Sequence, residues 1–491
     1  MTQVSGEWMK PTGSATLKRP SEHVASSRGV RAKEISDLVI VANRLPIQAT
    51  SSDGDHGWQQ SPGGLVTALS SALTRSQRNL WVGWSGLSEP VIVPDSLNEI
   101  SLRGVEMSAS EVAGHYEGFS NGCLWPLYHD SIEQPGFHRT WWDAYRSVNK
   151  RFADVVAVEA PPASIVWIHD YHLQLVPSLL RELRPDLRIG FFLHTPFPAP
   201  ELFHRLPWRS QIVHGILGAD VVGFQTRSAT RNFRSVAVGL IGARPDGRRL
   251  RVDGRAVLVD TFPIGIDPAP ISNAAGSPQV HDRIEQLRAV LGGPRQVLLG
   301  ADRLDYTKGI QLRLKAIREL LDEQRLDPSN TAVVQIAEPS RDGTRGYARI
   351  RQEVEQLAGG INGDYSRLGA PLVHYMHRSV DQAELVALFR MADVMLVTPF
   401  ADGMNLVAKE FVAARTDLRG TLVLSEFAGA AVELGDALLV NPYDIESVKS
   451  TIVAALQMPA AEQERRMSSM RAVVNHATVE RWATRFLSRL A

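Results

Sequence analysis

Eight short apolar runs, continuous rather than alternating and each followed closely by a polar or charged residue, restrict this chain more than any other feature. LVIVANR (38–44), SIVWIHD (164–170), RIGFFLH (188–194) and ADVVGFQ (219–225) fall in the first half. RQVLLGADR (295–303), AVVQIAEPSR (332–341), DVMLVTPF (393–400) and TLVLSE (421–426) fall in the second. A strand that is apolar along its whole length is buried on both faces, as in a parallel sheet covered by helices. Helical patterns lie between the runs. After Gly309, the residues Ile310, Leu314, Ile317 and Leu321 share one helical face, and LVAKEFVAART after Asn405 reads as another helix. Strand and helix alternate on both sides of FPIGID (262–267). The expected fold class is therefore α/β, with two doubly wound parallel sheets in tandem and a ligand crevice between them.

A chain of 491 residues exceeds one ordinary domain. The expected division is a tail over 1–36, a first domain over 37–266, a second over 267–474 and a final helix over 475–491. In that helix Trp482, Phe486 and Leu490 recur every four residues, a stripe suited to packing back on the first domain. The Pro/Ala/Ser-rich DPAPISNAAGSPQ (267–279) reads as a hinge. The tail is rich in Ser, Thr, Gly and Lys, lacks the apolar core of a signal peptide, and is expected to be disordered. Lys+Arg and Asp+Glu both number 53, so nucleic acid and anionic membrane are not expected partners and any anion site must be local. No apolar run approaches a membrane span. Cys123 is the only cysteine, which excludes an intrachain disulfide and fits a reducing cytoplasm.

Ligands of parallel α/β sheets bind beyond the carboxyl ends of the strands. The residues in that position are Arg44, Asp170 and His194 in the first half, then Arg303 with Lys308, Arg341 and Asp402 in the second. Several cations, two carboxylates and a histidine suit a phosphorylated, polyhydroxylated ligand. RLDYTKG (303–309) has two readings: cations beside a helix N-terminus that would bind phosphate, or a surface loop salt-bridged through Asp302 and Asp305. TPFADGMNLVAKE (398–410) also has two. Either Asp402, Asn405 and Glu410 bond hydroxyls while Gly403 lets backbone approach, or Asp402 caps the helix and Glu410 is solvated. WIHDYH (167–172) is a weak metal motif, because strand geometry sends His169 and His172 to opposite faces. Among Trp81, Trp84, Tyr116 and Trp125, core packing competes with a site role. No G-x-G-x-x-G or P-loop occurs, and Leu87 breaks the G-x-S-x-G pattern in GWSGL.

VANRLP, the GGL at 63–65, WVGWSG, FSNGCLWPLYH, IHDYHLQLVP, FFLHTPFP, FPIGID, RLDYTKG, DGMNLVAKE and LSEFAGAA occur in this order. Together they make residues 37–491 resemble the α,α-trehalose-6-phosphate synthases, retaining glucosyltransferases of family 20 with the two-domain GT-B fold. The resemblance implies transfer of glucose from a nucleoside diphosphate glucose to glucose 6-phosphate in a cytoplasmic homo-oligomer, with no cofactor and no metal. It implies that Arg303 and Lys308 hold the donor diphosphate, approached by a loop through Gly64. Leu406, Val407 and Glu410 would take the nucleoside, with Glu410 on the ribose. Asp402, Gly403, Met404, Asn405 and His194 would surround the donor glucose. Arg44, Trp84, Tyr116, Trp125, Asp170 and Arg341 would form the acceptor side, the arginines on the 6-phosphate. The resemblance further implies front-face displacement, the leaving diphosphate taking the acceptor's proton, with Asp170, His194, Arg303 and Lys308 as the catalytic set. Val380 stands where some relatives carry an aromatic near the base, so the donor base is left open.

Overall fold

The computed structural model describes residues 37–50, 57–61, 69, 79–89, 91–293, 296–340 and 345–490. The tail over 1–36, Gly64 and Arg341 lie outside the described residues. Twelve strands belong to the first half. They are β1 (Leu38–Arg44), β2 (Ile47–Thr50), β3 (Gly57–Gln60), β4 (Asn79–Trp84), β5 (Ser96–Leu97), β6 (Ile100–Gly104), β7 (Ile165–His169), β8 (Arg188–Leu193), β9 (Val221–Phe224), β10 (Arg244–Asp246), β11 (Arg249–Val252) and β12 (Arg255–Thr261). Six belong to the second: β13 (Gln296–Arg303), β14 (Thr331–Glu338), β15 (Val373–Met376), β16 (Val394–Val397), β17 (Thr421–Ser425) and β18 (Leu438–Val440).

The first sheet runs β10-β11-β12-β9-β8-β7-β1-β4-β6-β5, parallel from β12 to β6 with short antiparallel edges. The second runs β15-β14-β13-β16-β17-β18 and is parallel throughout. Both are the covered sheets that continuous apolar strands demand. In β1, Val39 and Val41 enter one core cluster while Leu38, Ile40 and Ala42 enter the other, so both faces are buried. Two facing α/β lobes of this kind constitute the GT-B arrangement.

The helix Ile310–Asp322 buries Ile310, Leu314, Ile317 and Leu321, as its spacing requires. The segment read as a hinge is different. It forms two helices, Pro268–Ala275 capped by Asp267 and Pro278–Val290 capped by Ser277. Each proline sits in the first turn, where it has no hydrogen bond to lose and its fixed φ suits a helix. The final helix Val479–Leu487 lies on the first sheet. Trp482 and Phe486 contact Trp167 at ring-centroid distances of 4.8 and 4.6 Å. Gly190 and Gly223 leave room there, since a Cβ at either would meet the Phe486 ring within 3 Å.

Candidate active site

The RLDYTKG segment begins at the carboxyl end of β13. Asp302 turns inward to the buried Arg313 guanidinium at 2.8 Å. Asp305 is also buried and accepts from the Thr307 N–H and the Tyr347 hydroxyl, each at 2.9 Å. Neither neighbouring carboxylate is spent on Arg303 or Lys308, which disposes of the local salt-bridged loop. Arg303 is exposed and lies over the Trp125 ring of the first lobe at 5.6 Å. Lys308 reaches instead to Asp402 Oδ2, at 2.6 Å. Gly309 has φ of 65°, and a Cβ there would lie 2.3 Å from the Thr398 carbonyl oxygen. The helix Ile310–Asp322 then starts with no side-chain cap, so its first-turn N–H groups face outward with the positive end of the dipole.

A second candidate loop follows β16. Asn405, not Asp402, caps the helix Leu406–Ala414: its Oδ1 accepts from the Ala408 N–H at 3.0 Å and its Nδ2 donates to Asp402 at 3.1 Å. Burial pushes the Asp402 carboxyl up, but attraction to Lys308 and hydrogen bonds from Lys308 and Asn405 outweigh it and hold the group below the usual carboxylate range. Gly403 meets the first lobe backbone to backbone, since a Cβ there would stand 1.9 Å from the His194 carbonyl oxygen. Met404 is buried in the core, and Leu406 and Val407 are partly buried at the helix start. Glu410 is partly buried, and burial raises its carboxyl to about 7.

That value carries a prediction. A carboxylate can accept from two hydroxyls, whereas the protonated form has given up part of its accepting capacity. Hydrogen bonding to the charged form lowers the pKa on binding, so a vicinal diol at Glu410 should expel a proton. Affinity for a diol-bearing ligand at Glu410 should rise as pH increases through about 7 and level off above it. The limiting slope is about tenfold per pH unit. Calorimetry in buffers of different ionisation heat should register proton release in the parent and none in Glu410→Gln.

His194, after β8, belongs to a hydrogen-bonded chain. The Ile264 N–H donates to Gln225 Oε1 at 2.9 Å, which turns the Gln225 amide nitrogen toward His194 Nδ1 at 3.5 Å. His194 Nε2 lies 3.1 Å from His169 Nδ1. With Nδ1 accepting, the proton resides on Nε2 and donates to His169. Burial lowers His194 to about 3 and His169 further below the ordinary histidine value. Both rings are neutral at physiological pH. Asp170, at φ of 72°, accepts the His194 backbone N–H at 3.2 Å. Gln225 and His169 were missed as site residues. Gln225 follows β9 as His194 follows β8, so the rule that selected His194 applies to it too.

Beyond β1 and β4 in the first lobe, Arg44 spreads over the Trp84 ring at 4.7 Å, and Trp84 meets Tyr116 edge-on at 5.6 Å. Gly86, at φ of 97°, makes room: a Cβ there would lie 2.1 Å from an Arg44 nitrogen. Trp81 points the other way, into the core, its Nε1 donating to the Arg44 carbonyl at 3.0 Å. Tyr116 stacks on His172 at 5.8 Å, and Trp125 packs on His129 at 4.0 Å. His169 and His172 do not converge, and among the described residues no group of three His, Cys, Asp or Glu side chains is placed to hold a metal ion.

Residues 36–491 match the model of Glycosyltransferase family 20. A trehalose-6-phosphate synthase of Mycolicibacterium paratuberculosis is 52% identical over 474 residues, covering 93% of this chain and 95% of the relative. One of Mycolicibacterium gilvum is 48% identical and covers 100% of this chain and 98% of its own. An E. coli structure bound with UDP-2-fluoro glucose is similar at a TM-score of 0.85 and 36% identity, over 92% of this chain and 98% of that one. An α,α-trehalose-phosphate synthase (UDP-forming) from Burkholderia xenovorans in complex with glucose-6-phosphate is similar at 0.85 and 34%, over 92% and 99%.

Proposed function

The chain belongs to glycosyltransferase family 20, and from that premise we propose how its residues carry out the family's reaction. That reaction is retaining transfer of glucose from a nucleoside diphosphate glucose to glucose 6-phosphate, giving α,α-trehalose 6-phosphate and the nucleoside diphosphate. The observation that carries the reading is the meeting of the lobes: Arg303 lies on Trp125, and Gly403 touches His194. The cationic end and the aromatic, hydroxyl-binding end are thereby brought to one crevice.

The donor diphosphate lies against Arg303, Lys308 and the uncapped N-terminus of the helix Ile310–Asp322, and Gly64 is assigned to the same phosphates from the family resemblance. Glu410 takes the ribose, and Leu406 and Val407 the nucleoside. Asp402, Gly403, Met404, Asn405 and His194 enclose the glucose. Trp84, Tyr116, Trp125 and Asp170 hold the acceptor sugar, and Arg44 with Arg341 its phosphate. As the C1–O bond to the diphosphate breaks, negative charge grows on the leaving oxygen and is met by the two cations. The acceptor hydroxyl attacks from the same side and passes its proton to that oxygen. His194 is a poor base for this proton, because burial lowers its basicity and both ring nitrogens are engaged. Asp402 is occupied by Lys308, which argues against its use as a nucleophile. What remains is positioning and preorganised charge, with Asp170 fixing the His194 backbone.

We place the enzyme in the cytoplasm as a homo-oligomer. Uridine and adenosine diphosphate glucose are the donors to compare first, since the E. coli relative binds UDP-2-fluoro glucose. A product assay across donor bases with glucose 6-phosphate, glucose and glycerol 3-phosphate is the test. Trehalose 6-phosphate is expected. Glucosylglycerol phosphate instead would move the acceptor assignment, and no turnover with any pair would make the chain a silent homologue. Arg44→Ala should raise the KM for glucose 6-phosphate ten- to a hundredfold, from about 1.5–3 kcal/mol for a charge-assisted bond. The KM for the donor should hardly move, and free glucose, a poor acceptor throughout, should lose little further rate. An unchanged KM for glucose 6-phosphate would remove Arg44 from the phosphate site.

A further inference from the structure

A second cationic pocket, of about 930 Å³, lies where the first lobe meets the 429–433 segment of the second. Among the described residues its wall carries five arginines (Arg227, Arg231, Arg234, Arg248 and Arg485) and two carboxylates, Asp260 and Glu433. Both carboxylates are already committed: Asp260 to Arg248 at 3.0 Å, and Glu433 to the buried Lys409 at 2.6 Å. Arg227, Arg231, Arg234 and Arg485 have no carboxylate within 4 Å among the described residues. Arg234 donates one nitrogen to the Gly247 carbonyl at 2.7 Å, while its Nη1 is enclosed with no hydrogen-bond partner. In a chain with equal numbers of acidic and basic residues, four arginines left unneutralised around one pocket are a local choice. An enclosed guanidinium nitrogen without an acceptor is unfavourable unless an anion supplies one.

The pocket shares its walls with the donor site. Gln225 lines it and also faces His194 Nδ1. Gly429 lines it too, donates its N–H to the Asp402 carbonyl at 3.1 Å, and packs so closely on the next residue that a Cβ would lie 2.0 Å from the Gly403 carbonyl oxygen. Ala430 donates to the Met404 carbonyl at 2.7 Å. An occupant braced between the first-lobe arginines and the 429–433 segment would press on the backbone that carries Asp402, Gly403 and Met404.

We propose that this pocket is a second anion site, distinct from the leaving-group site at Arg303 and Lys308. It takes a small, multiply charged phosphate compound and adjusts the donor loop through Gln225 and Gly429. The volume suits a small molecule, and four unneutralised guanidiniums call for at least two charges.

Inorganic pyrophosphate is the probe, titrated calorimetrically into the full chain with nucleoside diphosphate and glucose 6-phosphate already saturating the active site. One saturable, salt-sensitive site per chain is expected. Arg231→Ala/Arg234→Ala should weaken it at least tenfold while leaving turnover and both KM values unchanged in the absence of pyrophosphate. At saturating substrates, pyrophosphate should change turnover at least twofold in the parent and not in the variant. Val432→Glu adds a carboxylate at an exposed wall position without removing an arginine, and should cause the same loss if the double variant folds poorly. No binding with the active site filled, or binding indifferent to both variants, would overturn the site. Binding with no change in turnover would overturn the coupling.

Discussion

Arg303→Ala should lower kcat ten- to a hundredfold and weaken the donor as well, while thermal stability stays near that of the parent. A charge-assisted hydrogen bond contributes about 1.5–3 kcal/mol, and a cation facing charge that grows only as the bond breaks acts on kcat more than on binding. Arg303 is exposed, lies outside both core clusters, and has no carboxylate within 4 Å among the described residues, so removing it leaves no buried charge unpaired. Lys308→Ala is a different case. It should lose turnover too, but it also strands the enclosed Asp402 carboxylate, so stability should fall with it. The contrast separates the chemical role from the structural one. Steady-state kinetics beside thermal melts of both variants provides the check, and an Arg303→Ala enzyme with unaltered kcat and donor KM would refute its part in departure of the diphosphate.

Gly403→Ala should be as damaging, through geometry alone. The new methyl would stand 1.9 Å from the His194 carbonyl oxygen and 3.2 Å from the Thr195 carbonyl carbon. These are backbone atoms, so no side-chain rotation relieves the clash and the donor loop must withdraw from the first lobe. A misplacement of about 1 Å at a reacting centre can cost on the order of a hundredfold in rate. Overpacking of this kind costs about 1–3 kcal/mol of stability. We expect kcat/KM to drop by roughly a hundred, on the same argument, in a protein that still folds. Gly363→Ala is the control, since a Cβ there meets nothing within 4 Å. Equal activity of the two variants would show that the approach of Gly403 to His194 is not needed for turnover.

Much of the fold was legible because it depends on local pattern. Strands β7, β13 and β14 are apolar along most of their length, and the helix after Gly309 repeats every three to four residues. Burial and hydrogen bonding then leave little choice of element. The segment 267–279 was misread because prolines that interrupt a helix elsewhere favour its first turn, and the capping Asp267 and Ser277 were the signal to weigh. The residues proposed for the site were legible only as positions: Arg44, Asp170, His194, Arg303 and Asp402 each stand near a strand's carboxyl end, where a parallel sheet presents its ligands.

What those residues do to one another was decided by the tertiary structure. From the chain alone, Asp302 and Asp305 are the natural partners of Arg303 and Lys308. In the fold, Asp302 serves Arg313, Asp305 serves Thr307 and Tyr347, and Lys308 finds Asp402, 94 residues away. The tautomer of His194 is set by Gln225 and Ile264, and the carboxyl of Glu410 is lifted by what encloses it. Sequence periodicity fixes which face of an element is apolar, since that depends on neighbours three or four positions away. Pairing of charges and the cost of burying them depend on which distant segments share a low-dielectric space, and only tertiary packing determines that.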